Sequence, residues 1–441
     1  MSKNKNKKKK KPEAKRKILI NAQIVDPASG REEAGGVLIE DERIADTGQH
    51  LRRNAPDDAE IIDCGGHVVC PGLIDMLAFT GEPGEEHRET LATASRAAAA
   101  GGVTTMVCMP NSQVVMDDVA LVDFVLRRAR DTALVHVHPI AALTKDHAGT
   151  EMAEIGLLKE AGAVAFSDGL RSVGNARVMA RLLAYANDFD ALIVHHVEDH
   201  ELANSGVMND GEVSTRLGLP GAPAVAETIV LERDIRLVEM TGARYHAAQI
   251  SCQDSLDVVR AARRRGLKIT CGVSINHLTL NENDVGPYRT FFKIRPPLRR
   301  EEDRAAMVAG LIDGEIDVIV SCHDPQDVDV KRRPFEEAAF GAIGLETLLP
   351  AALRLYHSGE VTLANLLKPL TVQPASILGL EAGRLKPGAP ADIIVVDLDT
   401  PWVLDPDNLR SRSKNTPFDE ARLQGRVLRT FVAGKEVYAY G

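Results

Sequence analysis

No stretch of this 441-residue sequence is apolar for long enough to cross a bilayer, and its N-terminal segment lacks the pattern of a signal peptide. Both absences set the expectation of a cytoplasmic protein with no membrane contact. Cysteine is sparse and never closely spaced: Cys64, Cys70, Cys108, Cys252, Cys271 and Cys322 are scattered, with no C-x-x-C pair. That usage argues against a disulfide framework or a thiolate zinc site and fits buried thiols in a reducing compartment. Excess positive charge is missing too. The formal net charge is −10, so the body of the chain has no overall bias toward nucleic acid.

What is present describes an ordinary globular protein, 44% hydrophobic and 26% charged, long enough to bury a sizeable core in two or three domains. Residues 1–16 stand apart. Lys7 to Lys11 is an unbroken lysine run with Lys3, Lys5, Lys15 and Arg16 around it. Such a block repels itself and has little to bury, so it reads as a disordered tail, solvated or laid on an acidic partner or RNA. Residues 17–70 read as short strands and turns, and so do 385–441, with ADIIVVDLD and VLRTFVAGKEVY. Strands at both ends suggest one small β-sandwich built from the two termini.

Between them, residues 71–384 alternate strand-like and helix-like segments, which predicts a parallel sheet with crossover helices. The apolar strand candidates are Val103–Met109, Leu134–Ile140, Ala163–Phe166, Ala191–Val197, Tyr245–Ser251, Lys268–Val273 and Asp317–Cys322. An opening strand within Cys70–Gly84 (CPGLIDMLAFTGEPG) makes eight, the number a (β/α)8 barrel needs. Amphipathic stretches such as Glu85–Ala100 and Ser255–Arg265 supply the helices.

The opening stretch resembles the first barrel strand of the cyclic amidohydrolases, most closely the dihydroorotases, which read Pro-Gly-Leu-Ile-Asp-Met-His-x-His-x-Arg-Glu-Pro-Gly. AAAAGGVTTMVCMPN, SGVMNDGEVSTRLGLPGAPAVAE, RPPLRREED, FGAIGLETLLP and SRSKNTPFD extend the likeness over nearly everything after Lys17. The last two favour dihydroorotase over hydantoinase. So does Ala163–Asp168, which lacks the lysine that bridges metals in hydantoinases. The resemblance implies an amidohydrolase TIM barrel with the terminal β-sandwich, and ring-opening of dihydroorotate to carbamoyl aspartate.

Cyclic-amide hydrolysis of this kind uses metal-activated water, a Lewis acid at the carbonyl and a base. Zinc needs at least three convergent ligands. At the positions the resemblance assigns, the first-strand histidines are Leu77 and Phe79, and the carboxylate-gripping arginine is Gly81. FSDGLRS keeps Asp168 but places Gly169 where a second carboxylate belongs, leaving open which of the two matches the ligand. His196 in VHHVED is retained, while the strand-six histidine is Gln249, with His246 at a non-ligand position. On strand eight the base is Cys322, the carboxylate-binding histidine is Gln326, and the intervening histidine survives as His323. Substrate-like positions are Asn111, Arg295 and His323, with Arg295 able to grip an anion from a new direction.

Two other clusters compete for attention. His136 and His138 form an H-x-H whose side chains share one strand face, but no third ligand is evident. Cys70, Cys108, Cys271 and Cys322 read as late in barrel strands, where buried thiols pack as small hydrophobes. Cys322 beside His323 makes a poor dyad, because strand neighbours point to opposite faces.

Only His196 and Asp168 remain as candidate metal ligands, so the expectation is a protein without zinc and without cofactor. The reading is a dihydroorotase-like pseudo-enzyme of pyrimidine biosynthesis, a non-catalytic structural partner of aspartate carbamoyltransferase, which also forms homo-oligomers such as a dimer. Two alternatives stand beside it. One is an active dihydroorotase or cyclic amidohydrolase with altered or absent metal, and the other is a small-molecule-binding regulatory module using the old cleft.

Overall fold

In the computed structural model, residues 16–52, 55–110 and 112–441 are described. The lysine-rich residues 1–15 and Asn111 lie outside them. Five strands come first: β1 (Arg16–Asp26), β2 (Arg31–Glu40), β3 (Arg43–Gly48), β4 (Ala59–Asp63) and β5 (Val68–Pro71). Arg16, assigned to the tail by composition, instead opens β1, where its guanidinium pairs with Glu40 (2.9 Å) and Asp58 (3.0 Å).

The barrel strands follow as β6 (Leu73–Ala78), β7 (Val103–Cys108), β8 (His136–Ala141), β9 (Ala165–Phe166), β10 (Leu192–His195), then, after the short pair β11 (Met208–Asn209) and β12 (Gly221–Ala222), β13 (Arg244–Ala247), β14 (Ile269–Ser274) and β15 (Val318–Val320). The eight barrel strands lie side by side in chain order, all pairing in parallel. Closure comes from a parallel bridge between Ala78 and His323, with the Phe79 N–H donating to the His323 carbonyl (2.8 Å). Asp75 reinforces the seam by accepting from the Ser321 N–H (3.0 Å) and from its hydroxyl. The expected (β/α)8 barrel is the observed one.

Three strands end the chain: β16 (Ile393–Val403), β17 (Arg422–Val432) and β18 (Lys435–Ala439). They join β1–β5 in one eight-stranded sheet of order β18-β17-β16-β5-β1-β2-β3, with β4 against β1. Its own core holds Leu19, Ile24, Val37, Val69, Ile393 and Phe431, apart from the barrel core. The β-sandwich contributed by both termini is therefore present.

Several expected boundaries move, each for a local reason. The opening stretch is two strands, because Gly72 breaks it; a Cβ there would sit 2.1 Å from Thr104 Oγ1. Cys70 consequently belongs to β5 of the terminal sheet, and the supposed barrel group of four thiols does not exist. The helix predicted over Glu85–Ala100 starts only at Leu91, where Thr90 caps it by accepting from the Thr93 N–H. Residues 80–90 are left as a loop at the barrel mouth. The last barrel strand stops at Val320, and Cys322 takes a left-handed φ of 50° just beyond it.

Candidate active site

Side chains from the C-terminal ends of the barrel strands converge on a narrow cleft of about 30 Å³, where barrels of this type keep their chemistry. Gln249 follows β13, Ser274 closes β14 with Asn276 just after it, and Cys322 and Asp324 follow β15. Met109, Leu170, Ile294, Arg295 and Phe340 complete the wall.

Two groups in this cleft are left without a hydrogen bond. Arg295 stacks its guanidinium on the Phe340 ring (4.7 Å) and has Nε 3.5 Å from Glu198, yet makes no hydrogen bond among the described residues. The Gln249 amide oxygen is buried with no hydrogen-bond donor. An unmet acceptor in a buried site costs about 1–3 kcal/mol, so a ligand N–H there is strongly favoured.

Around Arg295 sits a tight charge cluster. Glu198 is buried and faces His196 Nε2 (3.4 Å), His200 Nδ1 (3.6 Å) and Arg295 Nε (3.5 Å). Burial pushes its carboxyl up, but the two histidines and Arg295 outweigh that and hold it well below the usual carboxylate range. Glu198 therefore stays ionised and keeps Arg295 in place.

Asp324 is the carboxylate that reading the motif position by position misses. It lies two residues beyond Cys322 and lines the same cleft. Burial raises its pKa, against Arg88 and Lys331, which favour the charged form. Arg88 Nη2 donates to it at 2.5 Å and Gln326 Nε2 at 3.0 Å. Arg88 itself comes from the 80–90 loop and lies over the Phe79 ring (4.1 Å), with further bonds to Glu85 (2.6 Å) and the Pro325 carbonyl (2.8 Å). The sequence signals were available: an acid at i+2 from Cys322, and an arginine a few residues past Gly81.

Other expected site residues lie elsewhere. Asp168 is spent on the loop after β8, accepting from the N–H groups of Leu143 and Thr144 (2.9 Å each) and from the Thr144 hydroxyl (2.5 Å). His196 is buried, with Nδ1 unpartnered, and does not line the cleft. Leu77 and Phe79 are buried, Leu77 in the cluster of Met76, Val107, Ile140 and Val194. His323 is not a substrate group: its Nδ1 accepts from the Gly344 N–H (3.2 Å) and its Nε2 faces the fully buried Glu89 (3.5 Å). It points away because the chain has left regular strand geometry at Cys322. His136 and His138 face a separate cavity, where His136 pairs with Asp392 (3.1 Å) and burial lowers His138 to about 4.

This donor set is poor in convergent metal ligands. Among the described residues no group of three His, Cys, Asp or Glu could hold a metal ion. The residues at the cleft do not fit the family's metal.

Two buried lysines lie close to the cleft. Lys293 donates to the Glu336 carbonyl (2.8 Å) and lies over the Phe340 ring (4.6 Å), while Lys331 donates to the Ala339 carbonyl (2.8 Å). Burial lowers Lys293 to about 8 and Lys331 to about 7, from an ordinary 10.5. Between those values the unfolded chain binds more protons than the native one, so stability should rise with pH from about 7 to 10. Urea unfolding at several pH values across that window measures it, and Lys331→Met should flatten the slope.

A family profile described as Dihydro-orotase-like matches residues 66–255. A protein named dihydroorotase from Ehrlichia canis (strain Jake) is 43% identical over 422 residues, covering 95% of this chain and 94% of its own. The chain belongs to the dihydroorotase family. Relatives of the same name from Anaplasma phagocytophilum (strain HZ) and Pelobacter propionicus (strain DSM 2379 / NBRC 103807 / OttBd1) are 44% and 42% identical, covering 95% and 96% of the chain. Among solved structures, the L-hydantoinase (dihydropyrimidinase) from Arthrobacter aurescens superposes with a TM-score of 0.86 over 96% of each chain, at 22% identity. That likeness shows the fold.

These family members correct the pseudo-enzyme expectation. Likeness to proteins named for the enzyme runs at this level through almost the whole chain, which favours the active reading over a non-catalytic partner. The expectation of no cofactor is corrected with it: it rested on the missing ligands alone, and likeness to proteins named dihydroorotase over almost the whole chain speaks against it. Counting lost ligands leaves out Asp324, which brings a carboxylate to the same cleft.

Proposed function

We propose that this protein opens the ring of dihydroorotate to carbamoyl aspartate and catalyses the reverse closure. The observation that carries the reading is a pair of groups in one cleft that make no hydrogen bond among the described residues: a guanidinium anchored by Glu198 and Phe340, and a buried amide oxygen. A small flat ring with a carboxylate and an N–H would meet both needs once the cleft, about 30 Å³ as it stands, widens to admit it, and the relatives' name supports the same substrate.

In this reading Arg295 takes the substrate carboxylate on its free edge while Glu198 and Phe340 hold it in place. Gln249 accepts the ring N–H. Asp324, with its carboxyl raised by burial, removes a proton from the water that attacks the ring carbonyl. The C–N bond then breaks, and the same proton passes to the departing nitrogen. Water and ring are consumed together, so atoms balance without an added reagent.

The test is turnover of dihydroorotate by the purified protein and its Arg295→Gln variant. A charged hydrogen bond contributes about 1.5–3 kcal/mol, so the variant should raise KM by about 10- to 100-fold with a smaller effect on kcat. An unchanged KM would remove Arg295 from the substrate site.

Assembly with aspartate carbamoyltransferase, and self-association, remain part of the proposal. Exposed apolar side chains Val225 and Ile229, one helical turn apart, support a protein-contact role. Light scattering of the co-expressed pair should give one species heavier than either protein alone; two separate species would count against it.

A further inference from the structure

A groove away from the barrel mouth runs along the seam with the terminal sheet, about 660 Å³ against about 30 Å³ for the cleft. Trp402, Tyr438, Tyr440, Arg410, Arg426 and Glu346 line it. Trp402 on β16 is the chain's single tryptophan, with its indole N–H donating to the Gly425 carbonyl (2.9 Å), so its ring is fixed in orientation.

Arg426, on the adjacent β17, places its guanidinium over both the Trp402 ring (4.6 Å) and the Tyr440 ring (4.5 Å). Stacking of this kind holds a guanidinium while leaving its donor edge free. Arg426 Nε is buried without a hydrogen-bond partner, and no carboxylate pairs with this side chain among the described residues. A half-buried guanidinium whose Nε has no acceptor, and whose charge has no carboxylate beside it, favours an anion that takes its planar fork.

The rest of the groove agrees. Arg410 is exposed there, and its side chain makes no ion pair among the described residues. Its backbone N–H and that of Ser411 donate to Glu346 (2.7 and 3.0 Å), which sets Arg410 at the groove wall. Burial raises the Glu346 carboxyl to about 7, which trims the negative charge it would set against an anion near neutral pH. Asp405 on the rim is committed to its own turn, accepting from the Asp407 N–H (3.0 Å) and Asn408 Nδ2 (2.8 Å). The cations are unspent and this acid is engaged, which leaves exposed Asp407 as the remaining acid against Arg410 and Arg426.

We propose that this groove binds a small aromatic anion, a planar ring bearing a carboxylate or phosphate, with the charged group on Arg426 and Arg410 and the ring against Trp402 and Tyr438. Its volume suits a ligand of that size. The proposal stands apart from the reaction at the barrel mouth and holds whether or not that reaction is as described.

Trp402 reports on the site directly, because no other tryptophan contributes to the emission. The full chain is titrated with phenyl phosphate, benzoate, phenol and inorganic phosphate while tryptophan fluorescence is followed. A saturable change is expected with phenyl phosphate or benzoate, and their relative affinities show which anion the site prefers. Phenol and inorganic phosphate should bind at least about 10-fold more weakly. Arg410→Gln alters an exposed side chain and leaves folding intact, yet should weaken binding by about 10-fold or more; Arg426→Gln should do the same. Arg295→Gln, at the other cleft, should leave the titration unchanged. No saturable change with either aromatic anion overturns the proposal. So does equal affinity for inorganic phosphate, or wild-type affinity in natively melting Arg410→Gln.

Discussion

Asp324→Asn should lower kcat for dihydroorotate by about 10²- to 10⁴-fold, the usual worth of a positioned acid–base group, with KM changing little. Asparagine keeps the shape and one acceptor oxygen but cannot take a proton. Arg88 retains Glu85 and the Pro325 carbonyl as partners, so the 80–90 loop should hold its place. The variant therefore separates proton transfer from architecture. Circular dichroism and the melting temperature should stay near wild type while turnover collapses. A variant with wild-type kcat would show that another group handles the proton.

The second large effect is on stability. Asp234 is fully buried and accepts from His195 Nδ1 (2.7 Å), Tyr245 Oη (2.7 Å) and Arg233 Nη2 (2.7 Å). Because His195 Nε2 accepts from the Val173 N–H (2.9 Å), its Nδ1 carries the proton that Asp234 receives. Burial alone would raise Asp234, but His195, Arg233 and Tyr245 together bring it below the ordinary carboxylate value. Such a carboxylate contributes stability above the unfolded pKa and loses it as pH falls through the lower native one. Asp234→Ala leaves two buried donors, His195 and Tyr245, without their carboxylate and strips half-buried Arg233 of its ion pair, and should cost about 3–5 kcal/mol at neutral pH, read from the urea midpoint. A loss under about 1 kcal/mol would mean that water replaces the carboxylate. His195 ends β10 and His196 follows it directly, so this network also helps fix where His196 sits beside Glu198.

Much of the fold was legible because its cause is periodic. Apolar runs separated by amphipathic stretches count out eight barrel strands, and strand patterns at both ends place the terminal sheet. Boundaries were less legible where one residue decides them: Gly72 splits the first stretch, and Thr90 delays the first helix to Leu91. At the site, Gln249, Arg295 and Cys322 were each singled out, and all three line the cleft. Asp168 and His323 were misplaced because their hydrogen bonds run to loops far away in sequence, which no spacing reveals. Asp324 and Arg88 were missed for a related reason. A family pattern directs attention to its own columns, whereas charge can enter the same cleft from a neighbouring position. The inactive reading came from that same restriction.

The most direct measurement is the conversion of dihydroorotate by the purified full-length chain, followed in both directions by loss and gain of the ring's ultraviolet absorbance. The account predicts turnover clearly above the buffer blank, with KM raised in Arg295→Gln and kcat reduced in Asp324→Asn. Wild-type protein, natively folded by its melting curve, that is indistinguishable from the blank in both directions would contradict it.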